Sequence, residues 1–145
     1  MKDKWLEEGY AHFAEAGPEN LSINKIGKAI GASRSSFYHH FGDIPFFIDE
    51  LLTAHWEICQ EFDRQAQKNC QNLIPDLYRE LAKHPVSLQF HIQLFRHRDR
   101  PSFNYLFLNT IESSAGSFAL RLFIKHLPLN LPEKDVYNLW LTLCE

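Results

Sequence analysis

The stretch that decides the fold is LSINKIGKAIGASRSSFYHHFGD, residues 21–43. Ser22 and Ser33 are good N-cap residues, and each precedes a run whose apolar side chains recur at helical spacing. Only Gly31-Ala32 separates the two runs, so the two short helices must cross steeply. Helices joined this tightly are typical of a helix-turn-helix, whose second helix enters the major groove of DNA.

Two glycines four residues apart, Gly27 and Gly31, supply the small surface that a close helix crossing requires. A glycine inside a helix costs about 1 kcal/mol relative to alanine, so we expect Gly27 to have a packing role. Phe37 and Phe41 share the inward side of the helix that follows Ser33. We expect Phe37 to fill the gap between the two helices.

The outward side of that helix carries a cation, hydroxyl groups and imidazoles that suit contact with DNA. An arginine such as Arg34 can pair with guanine through two hydrogen bonds, and hydroxyl groups suit phosphate oxygens. Lys25 and the N-terminus of the preceding helix are expected to face phosphate. The alternative for all of them is a solvated helix surface. The expected DNA-contacting residues are Ser22, Lys25, Ser33, Arg34, Ser35, Ser36, Tyr38, His39 and His40.

Helical spacing also governs the flanking residues, and strand signals are nearly absent. We predict a first helix from about Lys2 to Ala16, ended by Gly17-Pro18. Asp43 is predicted to cap a helix of about 25 residues that leads out of the N-terminal unit, with Pro45 in its first turn. The later predictions are helices between Pro75 and Pro85, over 86–97, over 101–127 and from 133 onward, with a stiff linker over 128–132.

The pattern predicts an all-α protein with two parts. Residues 1–45 form a three-helix helix-turn-helix domain, and a long helix joins it to a helical effector-binding and dimerisation domain over residues 46–145. The apolar pattern runs on to Glu145 without a helix cap. We therefore expect the second domain to be truncated at its C-terminus.

The composition is that of a soluble globular protein, with 45% hydrophobic and 23% charged residues. No apolar run approaches the roughly 20 residues that span a bilayer, and the N-terminus lacks a secretion signal. We expect a cytoplasmic protein without a membrane partner. Cys59, Cys70 and Cys144 lack metal-type spacing and suit reduced thiols.

The net charge of −3 argues weakly against a nucleic-acid partner when it is taken over the whole chain. The distribution of charge argues the other way. The segment between Asn20 and Gly42 contains no acidic residue, whereas it contains the three cations Lys25, Lys28 and Arg34. A mildly acidic chain thus carries a local positive segment.

Motifs that would indicate catalysis are missing from the sequence. It contains no nucleophile paired with a base, no glycine loop for phosphate and no paired carboxylates. His84, His91 and His97 follow no recognised ligand spacing. We expect no enzyme activity, no catalytic residues, no cofactor and no metal.

The segment from Phe13 to Asp43 resembles the N-terminal domain of TetR-family transcriptional regulators. The family's phrase is roughly F-x-x-x-G, a Ser- or Thr-initiated second helix, then G-V-S-x-x-x-L/F-Y-x-H/Y-F. It is matched without a gap by Phe13 and Gly17, Ser22, Gly31-Ala32-Ser33, Phe37-Tyr38 and His40-Phe41. The resemblance implies a repressor that binds a palindromic double-stranded DNA operator as a homodimer and responds to a small-molecule effector.

The sequence departs from this family in ways that support an alternative. Only Lys2 and Lys4 precede Trp5, and the fourth helix opens with Asp43-Ile44-Pro45-Phe46 and no lysine. Fewer phosphate contacts lower non-specific DNA affinity. The chain is also shorter than family members usually are. The alternative is a helical protein–protein adaptor on the same fold that has lost DNA binding.

The aromatic-rich C-terminal part indicates an apolar pocket for a lipophilic effector, with ordinary core packing as the alternative. Effector binding near the inner end of the helix over 43–67 is expected to pivot that helix. The helices over 102–127 and 133–145 are expected to hold the dimer interface, with Phe118 and Trp140 as candidate interface positions. The expected pocket residues are His55, Trp56, Phe62, Tyr78, Phe90, His91 and Phe107, with Gln93 as a further polar group.

Overall fold

In the computed structural model, which describes residues 1–127 and 130–144, helices are joined by short turns and no strand occurs within those residues. The predicted all-α class is confirmed. A turn over Leu73–Leu77 leads into the fifth helix, and a π-helical turn over Ala115–Ala119 joins the seventh to the eighth. The helices are α1 (Lys2–Ala16), α2 (Ile23–Ile30), α3 (Arg34–Phe41), α4 (Ile44–Asn69), α5 (Tyr78–Ala82), α6 (Pro85–Arg96), α7 (Pro101–Ser114), α8 (Leu120–His126) and α9 (Glu133–Cys144).

Side-chain caps set the start of three of the N-terminal helices, as predicted. Ser22 Oγ accepts a hydrogen bond from the backbone N–H of Lys25 at 3.2 Å, and Ser33 Oγ accepts one from Ser36 at 3.2 Å. Asp43 caps α4 in the same way, through the N–H of Phe46 at 2.8 Å. Each cap satisfies one of the N–H groups that a helix start leaves unpaired.

The predicted packing role of Gly27 is confirmed by the turn between α2 and α3. A Cβ at Gly27 would lie 2.8 Å from the carbonyl oxygen of Ala32 and 3.1 Å from the Trp5 ring. Gly31 ends α2 at φ 69°, a left-handed conformation that suits glycine. The two glycines therefore have different roles, one in packing and one in backbone conformation.

Phe37 lies at the centre of the N-terminal unit, where it was predicted to fill the space between helices. Its ring is fully buried and meets the ring of Trp5 from α1 at a centroid distance of 5.3 Å. It also meets the ring of Phe47 from α4 at 5.0 Å. One side chain of α3 thus contacts two other helices, which fixes the orientation of α3.

The helix-turn-helix is also packed directly on α6. The ring of Phe90 stacks on Tyr10 and Phe13 of α1, with centroid distances of 4.4 and 4.5 Å. Gln93 Nε2 donates a hydrogen bond to the carbonyl oxygen of Ala14 at 3.0 Å. Residues on both sides of the expected boundary at residue 45 therefore share one hydrophobic core.

The C-terminal half differs from the sequence predictions in its details. The helix expected over 101–127 is present as α7 and α8, with the π-helical turn over Ala115–Ala119 between them. The helix expected between Pro75 and Pro85 is α-helical only over α5. Pro128, Leu129 and Glu145, which belong to the expected linker and last helix, lie outside the described residues. Within residues 1–127 and 130–144, no helix combines the length and apolarity that a membrane crossing needs.

The expectation that Phe118 faces a dimer partner is wrong. Phe118 is 2% exposed and its ring packs 6.0 Å from Phe62 of the same chain, because the π-helical turn directs it towards α4. Trp140 is partly buried and its ring lies 5.5 Å from that of Phe123. Both side chains are used largely in packing within the chain.

We predict that Gly27→Ala lowers the free energy of unfolding by about 1–3 kcal/mol, the usual cost of overpacking, because its Cβ would meet the Ala32 carbonyl oxygen. Gly116→Ala is the matched control, since a Cβ at Gly116 would have no atom within 4 Å. This variant should be as stable as the parent or up to about 1 kcal/mol more stable. Urea unfolding followed by circular dichroism measures both changes, and equal effects would contradict the packing role of Gly27.

Candidate nucleic-acid interface and adjoining cavity

The exposed side of α3 presents an arginine that neighbouring side chains hold in place. Arg34 donates hydrogen bonds to Asn24 Oδ1 at 3.3 Å and to the Tyr38 hydroxyl oxygen at 3.2 Å. Its guanidinium also lies 5.5 Å from the centroid of the Tyr38 ring. Asn24 was not among the predicted residues, although its place two residues after the Ser22 cap puts it on the exposed side of α2. Arg34 is thus oriented before any DNA is bound.

The four serines expected to contact DNA differ in how free their hydroxyl groups are. Ser22 and Ser33 serve as helix caps, and Ser35 is exposed with its hydroxyl 3.1 Å from that of Ser33. The outward placement predicted for Ser36 is corrected, because its half-buried hydroxyl accepts a hydrogen bond from Trp5 Nε1 at 3.4 Å. Ser35 is therefore the serine of α3 best placed to contact a ligand.

The cations of α2 and α3 are not neutralised by nearby acids. Lys25, Lys28 and Arg34 are exposed and take no part in the three ion pairs found in the described part of the chain. His39 is exposed and His40 half-buried, with its ring 6.2 Å from that of Phe41. The surface is thus locally positive despite the net charge of −3.

An exposed, locally positive surface on α2 and α3 of a tight helix-turn-helix is typical of DNA-binding proteins. Residues 6–44, from α1 to the start of α4, match the family model described as bacterial regulatory proteins, tetR family. The N-terminal part of the chain is therefore TetR-like, and this similarity supports a DNA-binding regulator. A search of curated proteins found no match to it.

A cavity of about 120 Å³ lies between α4, α6 and α7, beside the N-terminal unit. Of the expected pocket residues, His55, Phe62 and His91 line it. Phe90 and Phe107 are instead buried in the core. Trp56 borders a separate groove. Tyr78 is 62% exposed because α5 turns it towards solvent. Lining residues not foreseen include Ile58, Cys59, Asp63, Leu81, His84, Ser87, Leu88, Thr110, Ile111 and Ser114.

A chain of polar contacts runs from α1 to this cavity. The Tyr10 hydroxyl lies 2.7 Å from His55 Nδ1, and His55 Nε2 lies 3.5 Å from His91 Nδ1. Burial lowers the pKa of His55 to about 3, with neighbouring His91 as the second cause, and burial lowers that of His91 to about 4. Both imidazoles are therefore neutral at physiological pH.

Cys59 lies beside His55, yet the pair lacks the charge state of a nucleophilic site. Its Sγ is 3.4 Å from His55 Nε2. Burial, followed by the nearby Asp63 carboxylate, raises the pKa of the thiol to about 12. The thiolate is the reactive form of cysteine, so this thiol is a poor nucleophile at neutral pH. Within the described residues, no group of three or more His, Cys, Asp or Glu side chains could hold a metal ion.

We predict that the free energy of unfolding falls as pH drops below 6.5. The unfolded chain then protonates the imidazole of residue 55, whereas folded His55 stays neutral until about pH 3. The loss from His55 is on the order of 2 kcal/mol between pH 6.5 and pH 5, and His91 acts in the same direction.

Urea unfolding at several pH values measures this slope. His55→Gln should make the slope shallower, and His39→Gln, which alters an exposed imidazole of α3, should leave it unchanged. An identical pH slope in all three proteins would refute the burial of a neutral imidazole at position 55.

Proposed function

We propose that the protein is a ligand-responsive repressor that binds a palindromic operator as a homodimer in the cytoplasm. The observation that carries the proposal is the oriented Arg34. Its guanidinium is exposed on α3, is held by Asn24 and Tyr38, and has no acidic partner within the described residues. A pre-oriented guanidinium loses less conformational entropy when it binds a base edge.

In this proposal α3 enters the major groove. Arg34, Ser35, Tyr38 and His39 face base edges and nearby phosphates, and Lys25 binds phosphate beside the N-terminus of α2. Ser22, Ser33 and Ser36 support these residues through their caps and the contact with Trp5, and His40 lies at the edge of the surface. Two copies would place their α3 helices in successive major grooves, about 34–36 Å apart.

The proposed effector site is the cavity beside α4. This helix carries Phe47, which packs on α3, and also His55, Cys59 and Asp63, which line the cavity. Tyr10 and Phe90 tie the same region to α1. A ligand changes DNA affinity only if it binds one arrangement of these helices better than the other, and α4 spans both sites.

The proposed dimer interface lies on α8 and α9. Ile124 lies on α8 and Leu127 directly follows that helix. Leu139 and Leu143 are four residues apart and share one side of α9. All four are between 37% and 62% exposed. A second copy of the chain would remove this apolar surface from water.

One observation favours the adaptor alternative. Lys2, one of the two cations before Trp5, lies 3.8 Å from Glu50, which partly neutralises it. An adaptor of this kind would keep its activity without the DNA-contacting side chains. An enzyme that uses this cavity would have less support, because Cys59 retains its proton at neutral pH.

We predict that Arg34→Ala/Tyr38→Ala lowers operator affinity at least tenfold, since one bidentate base contact alone contributes about 1–3 kcal/mol. Fluorescence anisotropy across a salt series, with DNA from upstream of the protein's own gene or from a genomic selection, measures this loss. The matched control is Tyr78→Ala/Arg79→Ala, which removes the same side-chain types from the exposed face of α5. Equal affinity of both variants, or no DNA selected at all, would favour the adaptor.

We predict that Ile124→Asp converts the dimer to monomers, because a carboxylate would be buried in the apolar interface. Sedimentation velocity measures the molecular mass. Ile92→Asp is the control, since Ile92 is 46% exposed on α6, and this variant should remain a dimer. A parent protein that sediments as a monomer, or an Ile124 variant that stays dimeric, would count against this interface.

A further inference from the structure

Asp63 of α4 is a buried carboxylate held by two serines. It is 3% exposed, and its oxygens accept hydrogen bonds from Ser113 Oγ and Ser114 Oγ, both at 2.7 Å. The two hydroxyl groups thus satisfy one acceptor position on each carboxylate oxygen. The serines lie at the end of α7, so the carboxylate joins α4 to α7 at the wall of the cavity.

No cation compensates this carboxylate within the described residues. Asp63 takes part in none of the three ion pairs there, and Arg64, its neighbour in sequence, pairs with Glu61. Burial raises the pKa of Asp63, and the two serine hydrogen bonds offset part of that rise. Buried charges in proteins are normally paired, so a cationic ligand in the cavity would supply the partner that an ionised Asp63 lacks.

The remaining titratable groups of the cavity wall do not supply a positive charge near Asp63. His55 and His91 are neutral, and Cys59 keeps its proton. His84 lies beside Phe62, with ring centroids 5.6 Å apart, and does not come within ion-pairing distance of Asp63. Asp63 is the single carboxylate among the lining residues.

The hydroxyl groups of the wall add hydrogen-bond acceptors rather than donors. Thr110 Oγ1 donates its proton to the carbonyl oxygen of Phe107 at 2.7 Å, and Ser87 Oγ donates to that of His84 at 3.1 Å. Each hydroxyl therefore has only its lone pairs left to offer a ligand. Towards these two hydroxyl groups a ligand can act as a hydrogen-bond donor.

We propose that the cavity binds a small organic cation, a protonated amine on a compact apolar body, with its ammonium group on Asp63. The identity of this site as an effector site rests on the proposed function. Ile58, Leu81, Leu88 and Ile111 would enclose the apolar body. The volume of about 120 Å³ is similar to that of an engineered cavity of roughly 150 Å³ known to bind benzene. Phe62 adds an aromatic ring to the cavity wall, a group that attracts cations.

Isothermal titration calorimetry of the whole chain near pH 7 tests this proposal with probes of one shape. Benzylamine, which is protonated at that pH, should bind at least tenfold more tightly than benzyl alcohol, its neutral counterpart. Phenylacetate, which is anionic, should not bind measurably. Equal affinity for benzylamine and benzyl alcohol, or no binding of benzylamine, overturns the proposal without any variant.

Two variants then assign the preference to one carboxylate. Asp63→Asn removes the charge but keeps the size, so it should bind benzylamine and benzyl alcohol equally. Glu57→Gln removes an exposed carboxylate of the same helix and should keep the full preference for benzylamine. A preference that survives in the Asp63 variant overturns the proposal.

The consequence for DNA is measured separately, by adding benzylamine to the protein–operator complex. If benzylamine binds through Asp63 and DNA affinity is unchanged, the amine site stands and the ligand-responsive part of the proposed function fails. If the parent protein binds operator and shows no amine preference, only the amine site fails. The two proposals can therefore fail independently.

Discussion

The stack of rings formed by Phe13, Phe90, Tyr10 and His55 is the contact on which the remaining structure depends. It joins α1, α4 and α6 in the buried interior, with neighbouring ring centroids 4.4–6.0 Å apart. Offset aromatic pairs contribute energy beyond their buried area and fix the angle between the rings. Because α1 belongs to the DNA-binding unit and α6 borders the cavity, this stack fixes the orientation of the DNA-binding unit relative to the helices around the cavity.

Local chemistry explains why the N-terminal unit could be predicted well. A serine cap, a glycine at φ 69° and a helix of fixed period act within a few residues of one another, so their outcome is visible in the sequence. Ser36 was misplaced for a different reason. Whether its hydroxyl points outward depends on Trp5, which lies 31 residues away in the chain.

The cavity was harder to predict because three distant segments form it. Cys59 and Asp63 follow His55 at intervals of four and eight residues, so their shared side of α4 could have been foreseen. That a carboxylate would be buried there could not, because its burial depends on two serines about 50 residues further on. Aromatic content alone did not distinguish residues that line the cavity from residues of the core, and Phe90 and Phe107 belong to the core.

The packing of Gln93 and Phe90 on α1 limits how freely the DNA-binding unit can be exchanged between proteins. A unit grafted from another regulator would have to present a ring for Phe90 to stack on and a free carbonyl oxygen in place of that of Ala14. Without them the graft would leave a buried amide unpaired and apolar surface uncovered. Substitutions at the exposed positions of α3 are therefore a simpler route to new DNA specificity than a graft, because they leave the contacts between α1 and α6 unchanged.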